Sequence, residues 1–226
     1  MIAGPGALTK ASTFAEALAG ANTYLGTTTI SAGTLEVSGS LTGTAQVEVS
    51  GTLAGTGAIT PALGGNIDLL AGGKLSPGST IVPASSVGTL TIALSGTGSL
   101  DLTAGVMAAN SQSLVFELGA PATSDKFSLS GGAMSIGSGL LEFNDFAFTP
   151  VGGFVDGVDY VLFDGSLPIA GTLGANLTGI VGGFSAEIQF ADGGRDIVLH
   201  VVPEPSAALA MLGGAATLLG LRRRRA

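Results

Sequence analysis

The sequence predicts an all-β protein: a right-handed parallel β-helix, followed by a small antiparallel β-rich unit and then one C-terminal transmembrane helix. Three observations predict this class. Gly-x-Leu triplets recur through the first half of the chain, nine of the ten phenylalanines lie from Phe116 onward, and an apolar run at residues 206–221 is closed by arginines. Repeats of similar length predict coils that stack on one another and share a core.

The Gly-x-Leu triplets define the predicted solenoid, residues 1–118. They end at Leu35, Leu53, Leu75, Leu90 and Leu100, at intervals of about 18, 22, 15 and 10 residues. Apolar and polar residues alternate near them, and this alternation turns Leu35 and Val37 inward and Glu36 outward. We expect successive parallel coils with these side chains inside: Leu35, Val37, Val49, Leu53, Leu75, Leu90, Ile92 and Leu100.

Residues 20–37 carry a more specific pattern within this region. Gly20-Ala-Asn-Thr-Tyr24 is followed by Gly26-Thr-Thr-Thr-Ile30 and Ala32-Gly-Thr-Leu-Glu-Val37, with Leu8-Thr-Lys10 upstream. This order resembles the autotransporter-associated β-strand repeat, with the best match at 20–37. The resemblance implies a β-solenoid in an exported bacterial protein.

Residues 119–202 are predicted to form the β-rich cap or sandwich. Apolar and aromatic residues alternate in short segments between Gly-rich turns, which is typical of strands. The segments are 114–118, 126–130, 140–148, 159–163, 186–190 and 196–202. Aromatic side chains at a two-residue period pack well between sheets. As a cap, this unit would protect the edge of the last coil from pairing with another chain.

The last part of the chain, residues 203–226, has three components in order. Pro203-Glu204-Pro205 precedes the uncharged run 206–221, and Arg222, Arg223, Arg224 and Arg225 follow it. As a helix the run would be about 24 Å long, shorter than the roughly 30 Å hydrocarbon core. We expect a marginal transmembrane helix whose arginines stay cytoplasmic, which places residues 1–202 on the other side of the membrane.

This order of motif, short apolar helix and arginine cluster resembles the PEP-CTERM sorting signal. The resemblance implies that Pro203, Glu204 and Pro205 are recognised by an exosortase, a membrane-embedded enzyme thought to cut near them. It also implies transient anchoring in the inner membrane, then release to the cell surface or exterior. Extracellular polysaccharide, as in a biofilm, is a further partner that the resemblance implies.

The composition fits an exported protein without catalytic machinery. The chain has 226 residues and no cysteine, which excludes disulfides and thiolate chemistry. Without the four tail arginines its formal charge is −12, so nucleic acid is not an expected partner. No cofactor is indicated. Residues 1–10 have neither a basic stretch nor an apolar core of a signal peptide, and we expect the sequence to begin inside a longer protein or at a misplaced start codon.

Few residues could carry chemistry or bind a ligand. Asp156, Asp159, Asp192 and Asp196 are weak calcium candidates, because carboxylates bind calcium, but Asp-Gly is also a preferred turn sequence. The lone histidine, His200, is expected to be an outward strand residue. We expect a structural or adhesive function. A glycan-binding module ranks second, limited to Tyr24 and Tyr160 for sugar stacking, and a polysaccharide-active enzyme ranks third.

Overall fold

The computed structural model describes residues 1–81, 86–108 and 110–203. In the first part of the chain, consecutive strands belong in turn to three different sheets. These strands are β1 (Ala3–Gly4), β2 (Leu8–Lys10), β3 (Ala15–Leu18), β4 (Ala21–Tyr24), β5 (Thr28–Ile30), β6 (Thr34–Val37), β7 (Ser40–Thr42), β8 (Val47–Val49), β9 (Thr52–Gly55), β10 (Ala58–Thr60), β11 (Ile67–Leu69) and β12 (Lys74–Pro77). We call residues 3–77 the N-terminal coils.

The same alternation continues to residue 173 with longer connections. The strands are β13 (Thr89–Ala93), β14 (Ser99–Asp101), β15 (Leu114–Leu118), β16 (Lys126–Ser130), β17 (Ala133–Leu141), β18 (Phe146–Pro150), β19 (Asp159–Gly165) and β20 (Ala170–Leu173). We call residues 89–173 the C-terminal coils. Three further strands follow: β21 (Thr178–Val181), β22 (Phe184–Ala191) and β23 (Asp196–Val201). Two short 3-10 turns, Pro121–Thr123 and Phe143–Asp145, are the helical structure of the described residues.

Every third strand pairs in parallel, and this pairing builds the three sheets. The first sheet has the order β1-β4-β7-β10-β13-β16-β19, the second β2-β5-β8-β11-β14-β17-β20, and the third β3-β6-β9-β12-β15-β18. One strand from each sheet therefore makes one coil. The described chain is all-β with parallel sheets, consistent with a β-helix, and the predicted class is confirmed at this level.

The core lies between the three sheets, and the expected inward side chains occupy it. All eight residues named for it, from Leu35 to Leu100, are at most 2% exposed. Leu35, Leu53 and Leu75 are register partners on β6, β9 and β12, so three of the Gly-x-Leu triplets do mark successive coils. Stacked leucines of this kind bury apolar surface that a single coil could not bury alone.

The remaining two triplets do not mark successive coils. Leu90 pairs with Phe127 in the first sheet, whereas Leu100 pairs with Ile67 in the second sheet. Both leucines therefore belong to one coil, on different sides of it. The intervals of about 15 and 10 residues reflect the distance between sheets, because strand alternation determines which side chains point inward but not which sheet the strand joins.

The change from parallel to antiparallel pairing lies later in the chain than the expected boundary at residue 118. The strands expected at 114–118 and 126–130 have these bounds, yet β15 and β16 pair in parallel with β18 and β19. Antiparallel pairing starts where β23 adds to β19, and β22 and β21 then extend the same sheet. Within 119–202 the antiparallel part is thus a three-strand extension of the first sheet.

Candidate functional site

The expected sorting motif follows the central strand of the antiparallel extension. β23 lies between β19 and β22, and Val201 at its end is completely buried. The Gly157 amide donates to the Val201 carbonyl at 2.8 Å, and the Val202 amide donates to the Ser185 carbonyl at 2.8 Å. The backbone is therefore held on both sides up to Val202.

Pro203 is the first residue of the expected motif and the last that the structure describes. It is exposed, and a Cβ placed on Gly157 would lie 3.2 Å from Pro203 Cγ, so the proline ring packs close to this glycine. Glu204, Pro205, the expected helix 206–221 and the arginines 222–225 lie outside the described residues. Within 1–81, 86–108 and 110–203 no helix is long and apolar enough to cross a membrane.

A shallow groove of about 360 Å³ lies beside the end of β23. It is formed by strands β21 and β22 together with Val202. Its lining includes Thr178, Ile180, Ser185 and Glu187. Ile180 is 67% exposed and Val202 40% exposed. Because Ser185 is the register partner of Ile180 and binds Val202, these three residues form one row on the outer face of the sheet.

A charged row crosses the same outer face next to the groove. His200 pairs with Asp159 on one side and with Glu187 on the other in strand register. The His200 Nδ1 atom lies 2.6 Å from Asp159 Oδ1, and both side chains are partly exposed. His200 is thus an outward strand residue, as expected, and it joins β23 to β19 through a polar contact as well as backbone hydrogen bonds.

The four weak calcium candidates are not brought into one group. Asp159 contacts His200, Asp192 forms an exposed ion pair with Arg195 at 3.3 Å, and Asp196 accepts a hydrogen bond from the Gly165 amide at 3.0 Å. Asp192 has a φ of 45°, the left-handed conformation of a turn residue. In the part of the chain that the structure describes, no three His, Asp or Glu residues are placed to hold a metal ion.

The two tyrosines considered for sugar stacking are not accessible. Tyr24 is 2% exposed and Tyr160 is completely buried. The Tyr24 hydroxyl lies 2.8 Å from Thr28 Oγ1, and the Val155 amide donates to the Tyr160 hydroxyl at 2.8 Å. Neither of the two rings that the sequence offered for sugar stacking is therefore available for it, because both are packed in the core.

Asn22, in the repeat-like segment, is also an internal structural residue. Its side-chain amide donates to the Gly20 carbonyl at 2.8 Å and to the Ser40 carbonyl at 3.2 Å, and its carbonyl oxygen accepts from the Ile2 amide. One buried asparagine therefore links three consecutive coils. This role explains why an asparagine at this position suits a stacked solenoid, since buried polar groups are stable only when hydrogen-bonded.

Glu36 is a carboxylate whose burial the alternating pattern did not predict. It was expected to face solvent, but it is only 4% exposed. Its carboxylate accepts hydrogen bonds from the Ser79 hydroxyl and from the Thr80 and Ile81 amides, at 2.9 to 3.0 Å. The segment after β12 thus covers the outer face of β6. The only signal in the sequence is the long connection between β12 and β13, which does not say where that connection packs.

Asp125 is a second buried carboxylate at the other end of this connection. It is 1% exposed, and its two oxygens accept from the Gly88 and Glu117 amides, each at 2.8 Å. Burial raises the pKa of Asp125 to about 7, against the lowering effect of these two donors, and the nearby Glu117 charge raises it further. Glu36 and Asp125 therefore fix the two ends of the same connection, from the N-terminal and C-terminal coils respectively.

Comparison with protein-family models, with curated proteins and with solved structures finds no match to this chain. The two family resemblances stay predictions, carried by residues 20–37 and 203–226.

Proposed function

We propose that this chain is an exported bacterial cell-surface or extracellular-matrix protein with a structural or adhesive role, sorted by an exosortase through residues 203–226. In this proposal residues 206–221 anchor it transiently in the inner membrane, with Arg222–Arg225 on the cytoplasmic side. We call residues 1–202 the cargo. The cargo is a right-handed parallel β-helix, the handedness that nearly all parallel crossover connections adopt. The antiparallel strands β21–β23 cap its last coil.

One observation carries the proposal: the backbone is hydrogen-bonded into the sheet up to the residue directly before the expected motif. Val202 still donates a backbone hydrogen bond to the sheet, whereas Pro203 cannot donate one and is exposed. A sheet that is complete at Val202 fits a C-terminal signal that can be removed without damage to the cargo. The partners in this proposal are the exosortase, the membrane before processing, and extracellular polysaccharide, with no nucleic acid.

A structural or adhesive role is favoured over the two alternatives by the character of the described surface. A glycan-binding module would need exposed aromatic rings for stacking, and both tyrosines are buried. A polysaccharide-active enzyme would need grouped carboxylates with a base or a metal. Asp159, His200 and Glu187 lie in a row on the outer face of the sheet, beside a shallow groove rather than in an enclosed cleft.

The test is expression of the full chain in a host that has an exosortase. Mass spectrometry of the extracellular form should place the new C-terminus close to Pro203-Glu204-Pro205. Glu204→Ala should leave full-length protein in the membrane, whereas Glu16→Ala, at an exposed glutamate on β3, should be processed normally. Secreted protein that still carries Arg222–Arg225, or normal processing of Glu204→Ala, would overturn the sorting proposal.

A further inference from the structure

The hydrogen bonds that hold the last cargo residues in the sheet limit how an enzyme could bind them. β23 is a central strand, so neither of its edges is free for another chain. Val201 donates to the Val158 carbonyl at 3.0 Å and accepts from Gly157, and Val202 donates to Ser185. A backbone that already pairs on both sides cannot at the same time pair with an enzyme.

Proteases commonly bind a substrate as an extended strand whose backbone groups hydrogen-bond to the enzyme. Residues on the N-terminal side of a cut are part of that strand. For a cut near Pro203-Glu204-Pro205, the residues needed on this side include Val201 and Val202. In the folded cargo the Val201 side chain is buried and the Val202 amide is already bonded.

The sequence between the end of β23 and the expected membrane helix is also short. Only residues 203–205 separate Val202 from the apolar run that begins at Ser206. Three extended residues span about 10 Å. A membrane-embedded enzyme would therefore have to reach the motif in a narrow gap under the cargo, beside exposed Ile180.

We propose, on the basis of the sorting function above, that the folded cargo restrains its own processing. The hydrogen-bonded end of β23 keeps Val201 and Val202 out of the enzyme, so cleavage waits for local opening of this strand end. Residues added between Val202 and the motif should then raise the rate of cleavage.

The test is a Gly-Ser-Gly-Ser spacer inserted between Val202 and Pro203 in the full chain, in an exosortase host. The cargo is complete before the insertion, so its folding is unaffected, and the melting temperature of the released product checks this. Pulse-chase analysis should show processing about fivefold faster than in the unmodified chain, the factor expected when one backbone hydrogen bond no longer has to open before cleavage.

The matched control carries the same spacer in the exposed β22–β23 turn, between Gly193 and Gly194, and should be processed at the unmodified rate. An unchanged or slower rate with the spacer before Pro203 would overturn this inference while leaving the sorting proposal intact, because the enzyme would then tolerate or require the folded edge. If the unmodified chain is not processed, or Glu204→Ala is processed equally well, the sorting proposal fails and this inference fails with it.

Discussion

The N-terminal and C-terminal coils solve the same packing problem with different side chains. The N-terminal coils repeat every 18 to 22 residues and fill their interior with aliphatic ladders such as Leu35, Leu53 and Leu75. The C-terminal coils are longer, since Leu75 pairs next with Leu114, and their interior holds packed rings. Phe127 stacks on Phe163 at 5.1 Å between centroids, and Phe116 meets Phe163 at 5.7 Å.

The difference teaches that one fold can be filled by two kinds of side chain. Protein interiors pack at the density of organic crystals, so a core must be filled by side chains that fit it. Phenylalanine supplies more volume and area per position than leucine. Nine of the ten phenylalanines lie from Phe116 onward, and because parallel pairing continues through β16 and β19, this composition change indicates a different filling of the core rather than a new fold.

The largest expected effect is in the aromatic core. Phe127 is completely buried and contacts both Phe116 and Phe163. Phe127→Ala should lower the free energy of unfolding by about 4 kcal/mol, because it removes a whole ring from a packed site. Chemical denaturation measures this loss. Phe14→Ala is the control, since Phe14 is 77% exposed and should change stability little. A loss below about 1 kcal/mol would contradict the packing assignment.

A smaller effect is expected in the aliphatic ladder. Leu53 is completely buried between Leu35 and Leu75, and Leu53→Ala should cost about 3 kcal/mol. In stacked coils the damage should stay local. Hydrogen exchange should accelerate in residues 21–77 more than in 126–173. The exposed Leu63 provides the control through Leu63→Ala. Equal acceleration in both regions would mean that they open as one unit.

The connection between the two regions can be tested at each end. Glu36→Ala removes the acceptor of the Thr80 and Ile81 amides and leaves them unpaired, at a cost of about 2 kcal/mol. Faster hydrogen exchange at these two amides is the measurement. Glu16→Ala, at an exposed glutamate, should leave them protected. Unchanged exchange in Glu36→Ala would show that other contacts hold the segment.

The smallest effect, taken per pH unit, is a pH dependence from the other end of the connection. Because the folded pKa of Asp125 is raised to about 7 from an ordinary value of 3.8, the folded chain keeps a proton that the unfolded chain releases between these values. Stability from this group is therefore complete below about pH 4 and is lost as pH rises to about 7, by at most about 1.4 kcal/mol per pH unit.

Asp125→Asn should remove this contribution, so the difference in stability between the two proteins should vary with pH in that window and be constant above it. Urea denaturation from pH 4 to pH 8 measures the difference. Asp164→Asn, at a partly exposed aspartate, serves as the control. A difference that is flat across the whole range would contradict the assignment to Asp125.

Alternation along the chain was sufficient to predict the core but not its assembly. The inward positions of Leu90 and Leu100 follow from local pattern, whereas their sheets depend on how many residues complete a coil. The burial of Glu36 depends on Ser79 and Thr80, 43 and 44 positions away. The aspartates of the calcium hypothesis were also open to a turn interpretation, and no local signal shows that they lie apart.

The contact of Glu36 has a consequence for folding order. In a stacked repeat each coil normally depends only on its neighbours, so that ends can fray one coil at a time. Glu36 lies on β6, yet its partners follow β12, two coils further along, so this contact passes over the coil that contains β9. The coil that contains β6 cannot complete its hydrogen bonds until the coil that contains β12 has formed. The three coils with β6, β9 and β12 should therefore fold and unfold together, as a cooperative block inside an otherwise one-dimensional array.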